Sequence, residues 1–141
     1  MAYLEWSDAY LTGIETIDAD HQVLFRLVNE LHDAIDAGLG EAVVAGTLDG
    51  LIDYIGVHFR REERLMQDCN YPDRVPHARQ HRELSKTVRS LKTLFDDDPS
   101  QLESKTIMAF LRDWLSGHIL ETDMAYVSHV SARYDGAPPS G

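Results

Sequence analysis

The chain has 141 residues, 13 basic and 24 acidic, a formal charge of -11 and a single cysteine. That length suits one domain, which buries about two-thirds of its unfolded surface without staples, and 43% hydrophobic with 26% charged residues is the composition of a folded protein. The acidic balance repels nucleic acid and anionic lipid, and one cysteine excludes an internal disulfide or a paired-thiolate metal site.

The start, "MAYLEWSDAYLTGIE", has neither a basic nor an apolar signal region, and no apolar stretch is expected to approach the roughly 18 residues of a spanning helix. A cytoplasmic protein is expected, organised as one domain over 1–141. Residues 1–17 read as an N-terminal arm and 135–141, "DGAPPSG", as a disordered tail. No repeat of solenoid period is visible.

After Asp20 the apolar residues recur as Leu24, Val28, Leu31 and Ile35, the four-and-three spacing of one helical face. Asp18 or Asp20 can cap the start and Gly38 the end. Traced back three residues from Leu24, this seam reaches His21. The second helix carries Val44, Leu48, Leu51 and Ile55 and continues to Leu65 only if His58 and Glu62 also occupy the seam. Gly46, Gly50 and Gly56 weaken it by up to about 1 kcal/mol each relative to alanine.

Two prolines in "CNYPDRVP" break the chain, and Pro76 is tolerated in the first turn of the helix that follows. That third seam is His77, His81, Leu84, Val88, Leu91 and Phe95. "DDDPS" ends it, and the fourth seam is Ile107, Leu111, Trp114 and His118. Four helices of about 20 residues with short loops predict an all-α fold, an up-and-down antiparallel four-helix bundle.

In each helix the polar seam residues lie near one end: the start of the first and third, the finish of the second and fourth. An up-and-down bundle puts those four ends together. His21, His58, Glu62, His77, His81 and His118 then meet in one layer. A buried carboxylate without a partner costs several kcal/mol, and no seam lysine or arginine is available for Glu62, so a metal is the simplest partner. Residues four apart are displaced by roughly 40° and 6 Å, so His77 with His81 and His58 with Glu62 can converge. Imidazole and carboxylate without thiolate suit iron, zinc, copper or manganese. Six donors exceed a tetrahedral zinc site, which favours two carboxylate-bridged metals.

A second carboxylate is then needed, and "SGHILETDMAY" offers Glu121 and Asp123. Asp123 is five residues from His118, roughly 140° away on an ideal helix, so using it requires an end, a bulge or a bend there. Gly117 eases such a departure. Glu121 lies nearer the face of His118, and spacing alone does not choose between them.

A lone core histidine is more often hydrogen-bonded than ligating. Five histidines and a glutamate on four seams at one end leave the structural reading only coincidence. His32 and His129 fall outside that layer, Glu63 reads as a solvated neighbour of Glu62, and Cys69 as an inert loop thiol. Leu24, Phe59, Trp114, Leu115 and Ile119 are core residues within about a turn of a ligand, positioned to wall the metals off from water.

Through "GIETIDADHQVLF", "HFRREERLM", "YPDRVPHARQH" and "WLSGHILETDMAY", from Trp6 to about Tyr126, the chain resembles the hemerythrins, most closely the single-domain bacterial ones. The resemblance implies H-x-x-x-x-D, hence Asp123. It implies two iron ions with an oxo or hydroxo bridge: one held by His77, His81 and His118, the other by His21 and His58, with Glu62 and Asp123 bridging. The iron with two histidines keeps the open position at which dioxygen binds, inside an apolar pocket of Leu24, Phe59, Trp114, Leu115 and Ile119. Neutral imidazoles with only two carboxylates favour binding over oxygen activation.

Two features depart from the family pattern. Leu84 stands where relatives often have phenylalanine, and "DMAY" replaces a more basic stretch; neither removes a ligand. The function implied is reversible dioxygen binding for storage or delivery, not enzymatic turnover; a monomer is expected because no large exposed apolar stripe remains once the four seams are used. An oxygen-consuming enzyme or a reductant is the partner expected. The rivals are oxygen or redox sensing through a partner protein, which the absence of an output module disfavours, and di-iron peroxidase or oxidase chemistry, for which no further acid or base is aimed at the site.

Overall fold

Asp18 decides where the first helix begins. Its carboxylate accepts hydrogen bonds from the Thr12 amide at 2.8 Å, the Thr12 hydroxyl at 2.7 Å and the Gly13 amide at 3.1 Å, and so ties down the turn ahead of the helix. In the computed structural model, which describes residues 3–98 and 104–135, α1 therefore runs Glu15–Asp36. This corrects the expected cap at Asp18 or Asp20: Ile14 precedes the helix without a side-chain cap, and Asp20 is buried. Gly38 does end it, in a left-handed conformation with φ 64 that glycine adopts at no steric cost.

The arm runs beside α1. Leu4 is buried and its backbone pairs twice with the Asn29 amide, at 2.8 and 2.9 Å. The Trp6 and Tyr10 rings meet Phe25 edge to face at 5.0 and 4.8 Å. The expected tail lies, from residue 136 onward, outside the described residues, as do the last two residues of "DDDPS".

α2 (Glu41–Asp68) buries Val44, Leu48, Leu51, Ile55, His58, Phe59, Glu62 and Met66. One stretch of this 28-residue helix reaches mean hydropathy 1.2 over 18 residues, long and apolar enough to span a membrane by length and composition, contrary to the expectation that no stretch approaches this. In place the helix is two-sided: its seam faces the bundle, and Asp49 and Asp53 are exposed. Tyr71 closes its end, donating its amide to the Met66 carbonyl at 2.9 Å, with Asn70 at φ 53 making the turn.

α3 (Arg74–Asp97) buries His77, His81, Val88 and Phe95, with Leu84 and Leu91 half-buried. The fourth rod is α4 (Ser104–Gly117), a π-helical turn (His118–Asp123) and α5 (Met124–Asp135). α1 packs against α2 and α4, and α2 against α3. The result is the expected all-helical, up-and-down four-helix bundle, with no strand among the described residues.

Two apolar clusters form. The larger holds Leu24, Val28, Leu51, Ile55, Phe59, Leu111, Leu115 and Ile119 among others; the smaller holds Met66, Cys69, Tyr71, Tyr126 and Val130. On α2, His58 and Glu62 come between Ile55 and Met66. On the fourth rod, Asp123 comes between Ile119 and Tyr126. The polar layer is thus closed by hydrocarbon on both sides, where each buried Leu or Ile contributes about 1.5–3 kcal/mol.

Candidate metal centre

His21, His58, Glu62, His77, His81, His118 and Asp123 are all buried, none more than 7% exposed. Their donor atoms form two groups, each with all atoms within 4.8 Å of one another: Glu62, His77, His81, His118 and Asp123 in one, His21, His58, Glu62 and Asp123 in the other. Three imidazoles stand on one side and two on the other, and both carboxylates belong to both groups. Glu121 is exposed.

The π turn brings His118 and Asp123 onto one face. Its hydrogen bonds reach five residues back, the Met124 amide to the Ile119 carbonyl among them, so a five-residue step closes one turn instead of overshooting it. His118 Nε2 then lies 3.0 Å from Asp123 Oδ1. Gly117 is not the cause expected of it: at φ -66 and ψ -42 it has ordinary helical geometry open to any residue.

Several of these atoms have no hydrogen-bond partner. Glu62 Oε1, His77 Nε2 and Asp123 Oδ1 are buried and unsatisfied, although His58 Nε2 is 3.1 Å from Glu62 Oε1 and His77 Nε2 is 3.0 Å from Asp123 Oδ1. His81 Nε2 and His118 Nε2 face each other at 3.3 Å. A buried polar atom left without a partner costs about 1–3 kcal/mol, and five imidazoles around two carboxylates leave several such atoms. Cations placed among them satisfy them all, and nitrogen with oxygen donors without sulfur suits iron.

Behind the donors lies a ring of partners. His58 Nδ1 is 2.9 Å from Asp20 Oδ2, and Asp20 Oδ1 also accepts from the Tyr54 hydroxyl at 2.8 Å and Arg61 at 3.1 Å. His81 Nδ1 is 2.9 Å from Glu63 Oε2, and the buried Tyr126 hydroxyl donates to Glu62 Oε2 at 2.8 Å. In the neutral ring, each Nδ1–H donated outward leaves Nε2 as a lone pair facing the centre. Glu63 is thus not the solvated bystander its position beside Glu62 suggests. Asp20, Tyr54, Arg61 and Tyr126 were missed as site partners. Only Tyr126 had a signal, three residues beyond Asp123 and so near its face; the others act across helices.

Charge follows the geometry. Burial and the Asp123 charge push the Glu62 carboxyl up, but His58 and His81 outweigh them and hold it down at about 2. Burial works against the charged His58 ring, yet Glu62 and Asp20 raise it to about 10. Asp123 resists its burial through His118, His21 and His77 and stays well below the carboxylate range. Asp20 is lowered despite burial by His58 and Tyr54, while burial and the two carboxylates raise the Tyr126 phenol.

Leu24, Phe59, Trp114, Leu115 and Ile119 all belong to the larger core cluster. The Phe59 ring lies flat on His81, centroids 3.8 Å apart, and stands edge-on to Trp114 at 6.0 Å. His32 and His129 stay outside the layer: one stacks on Tyr3 at 4.3 Å, the other bonds the Cys69 carbonyl at 2.7 Å. Cys69 is buried.

A four-helix bundle with a buried imidazole and carboxylate layer between two apolar clusters defines a class, the bundles that hold a non-haem metal centre in their core. The family description that matches, over residues 12–130, is "Hemerythrin HHE cation binding domain", and the chain belongs to the hemerythrin family. It is 34% identical to "Bacteriohemerythrin" of Methylococcus capsulatus, over 94% of this chain and 100% of that one. To "Bacteriohemerythrin" of Stenotrophomonas maltophilia it is 33% identical, covering 94% and 85%. A wild-type hemerythrin crystal structure superposes with TM-score 0.84 at 33% identity, covering 92% of this chain and 99% of the other. Family and fold imply a di-iron, oxygen-binding protein.

Proposed function

We infer that the chain binds dioxygen reversibly, as a store or delivery protein rather than an enzyme. The observation that carries this is the unequal division of the donors, three histidines against two around shared Glu62 and Asp123. His77, His81 and His118 would hold one iron and His21 and His58 the other, with the carboxylates and an oxo or hydroxo group as bridges. The side with fewer donors, His21 and His58, would leave room for dioxygen. Two ferrous ions would supply the electrons that dioxygen takes on binding and returns on leaving.

The chain's own residues do the rest. Leu24, Phe59, Trp114, Leu115 and Ile119 form the apolar pocket, which keeps water and protons from the bound gas and so slows release of reduced oxygen. Tyr126 holds the outer oxygen of Glu62, and Asp20 and Glu63 hold the His58 and His81 rings in orientation. A reducing cytoplasm suits the lone, buried Cys69.

The test is anaerobic reduction, then air, then argon, following the visible absorption together with the iron count. A band that appears with air and disappears under argon without added reductant, at two irons per chain, is the expected result. A band that persists after oxygen is removed means net oxidation and overturns the carrier reading.

A further inference from the structure

The basic residues are unevenly placed. Nine of the 13 and only five of the 24 acidic ones lie between Arg60 and Lys92, so this stretch carries +4 and the rest of the chain -15. Much of the surplus lines one groove of about 800 Å³ between α2 and α3. Arg60 and a single carboxylate, Glu63, which is turned to His81, stand on one bank and Arg82, Lys86 and Arg89 on the other, the last three at helical spacing along about 10 Å of α3. None of the four makes an ion pair among the described residues, whereas Arg26, Arg61, Lys92 and Arg112 do.

Phe59 and His81 also line this groove. The ring of an inferred iron ligand, stacked on an aromatic ring, therefore lies against a basic groove of an acidic protein. A second groove, of about 610 Å³ and edged by His118, sets Arg79 against Glu83, Asp113 and Glu121 and has no net positive field.

We propose that the α2–α3 groove is the docking surface for an acidic protein that carries single electrons. The proposal rests on the iron pair inferred above. Two such carriers, each oxidised by one electron, return a diferric pair to diferrous, one iron reduced per transfer. The rest of the chain, at -15, repels an acidic partner on balance, so the field favours this face and its orientation. The groove is open and elongated, and its cations line its length instead of closing on one point, which fits a protein surface better than a small anion.

The test uses the full iron-loaded chain and, as probe, a [2Fe–2S] ferredoxin of net negative charge. In the diferric protein, stopped-flow reduction by reduced ferredoxin should slow as salt rises from about 0.02 to 0.2 M. R82E/R89E should slow it by roughly tenfold or more. The R26E/R112E variant, with the same change in net charge, should keep most of the rate.

A rate that rises with salt, or equal losses in the two variants, would overturn the proposal. Docking is read separately from amide shifts of 15N-labelled chain titrated with oxidised ferredoxin. Changes centred on Arg82 to Arg89 support it whether or not oxygen binding proves reversible. Shifts there with inorganic phosphate but none with ferredoxin would replace it with a small-anion site.

Discussion

His118 Nε2 and Asp123 Oδ1 lie 3.0 Å apart although five residues separate them along the chain. A π turn makes that contact, where a regular α-helix at that spacing would point the two side chains roughly 140° apart. Glu121, the other carboxylate at hand, is left exposed. Asp123→Ala should therefore drop iron from two per chain to one or none, and Glu121→Ala should leave it near two. Iron analysis of both purified variants decides this; loss in the Glu121 variant alone would reverse the assignment.

Asp20 is 1% exposed and joins His58, Tyr54 and Arg61. Asp20→Asn keeps the shape but removes the charge that orients the His58 ring. The expected cost is roughly 10–100-fold in metal affinity, measured by competition with a chelator. Unchanged affinity would reduce Asp20 to a helix-packing residue.

Glu63 does the same for His81 but sits 37% exposed, where water can replace a lost acceptor. Glu63→Gln should weaken metal binding less than Asp20→Asn does in the same competition assay. The opposite order would show that burial does not set the strength of these outer partners.

The metal-free chain should have a pH window. His58, raised to about 10, contributes stability fully present below 6.5 and lost as pH climbs through about 10. Glu62, lowered to about 2, contributes stability present above 4.5 and lost as pH falls through about 2. Denaturant unfolding of the metal-free protein should thus be most resisted between pH 4.5 and 6.5. Loading ferrous iron at pH 7 should release the His58 proton, which a pH indicator in weak buffer will register.

Leu51 is fully buried in the larger cluster, seven residues before His58 on α2. Leu51→Ala should cost about 2–5 kcal/mol of unfolding free energy while the folded fraction keeps two irons. Loss of iron in proportion to stability would show that the core sets the site directly.

Much of this was legible along the chain. Apolar seams at four-and-three spacing predict helices, and the polar positions that interrupt them at His21, His58, Glu62, His77, His81 and His118 mark one layer, because an up-and-down bundle lets seam position stand for height. The unpaired charge of Glu62 makes that layer call for a cation. These readings rest on local periodicity, which neighbouring residues carry.

What local periodicity cannot carry depended on partners far away in sequence. The α1 boundary moved because Asp18 had amides at Thr12 and Gly13 to bind, leaving Asp20 free to reach His58, 38 residues on. Glu63 became a partner of His81 because α2 and α3 pack side by side. The fourth rod took a π turn, where the spacing of His118 and Asp123 required a departure from the regular helix but left an end, a bulge or a bend open. A helix wheel states which side of a helix a residue occupies. What that side meets is set when four helices pack together.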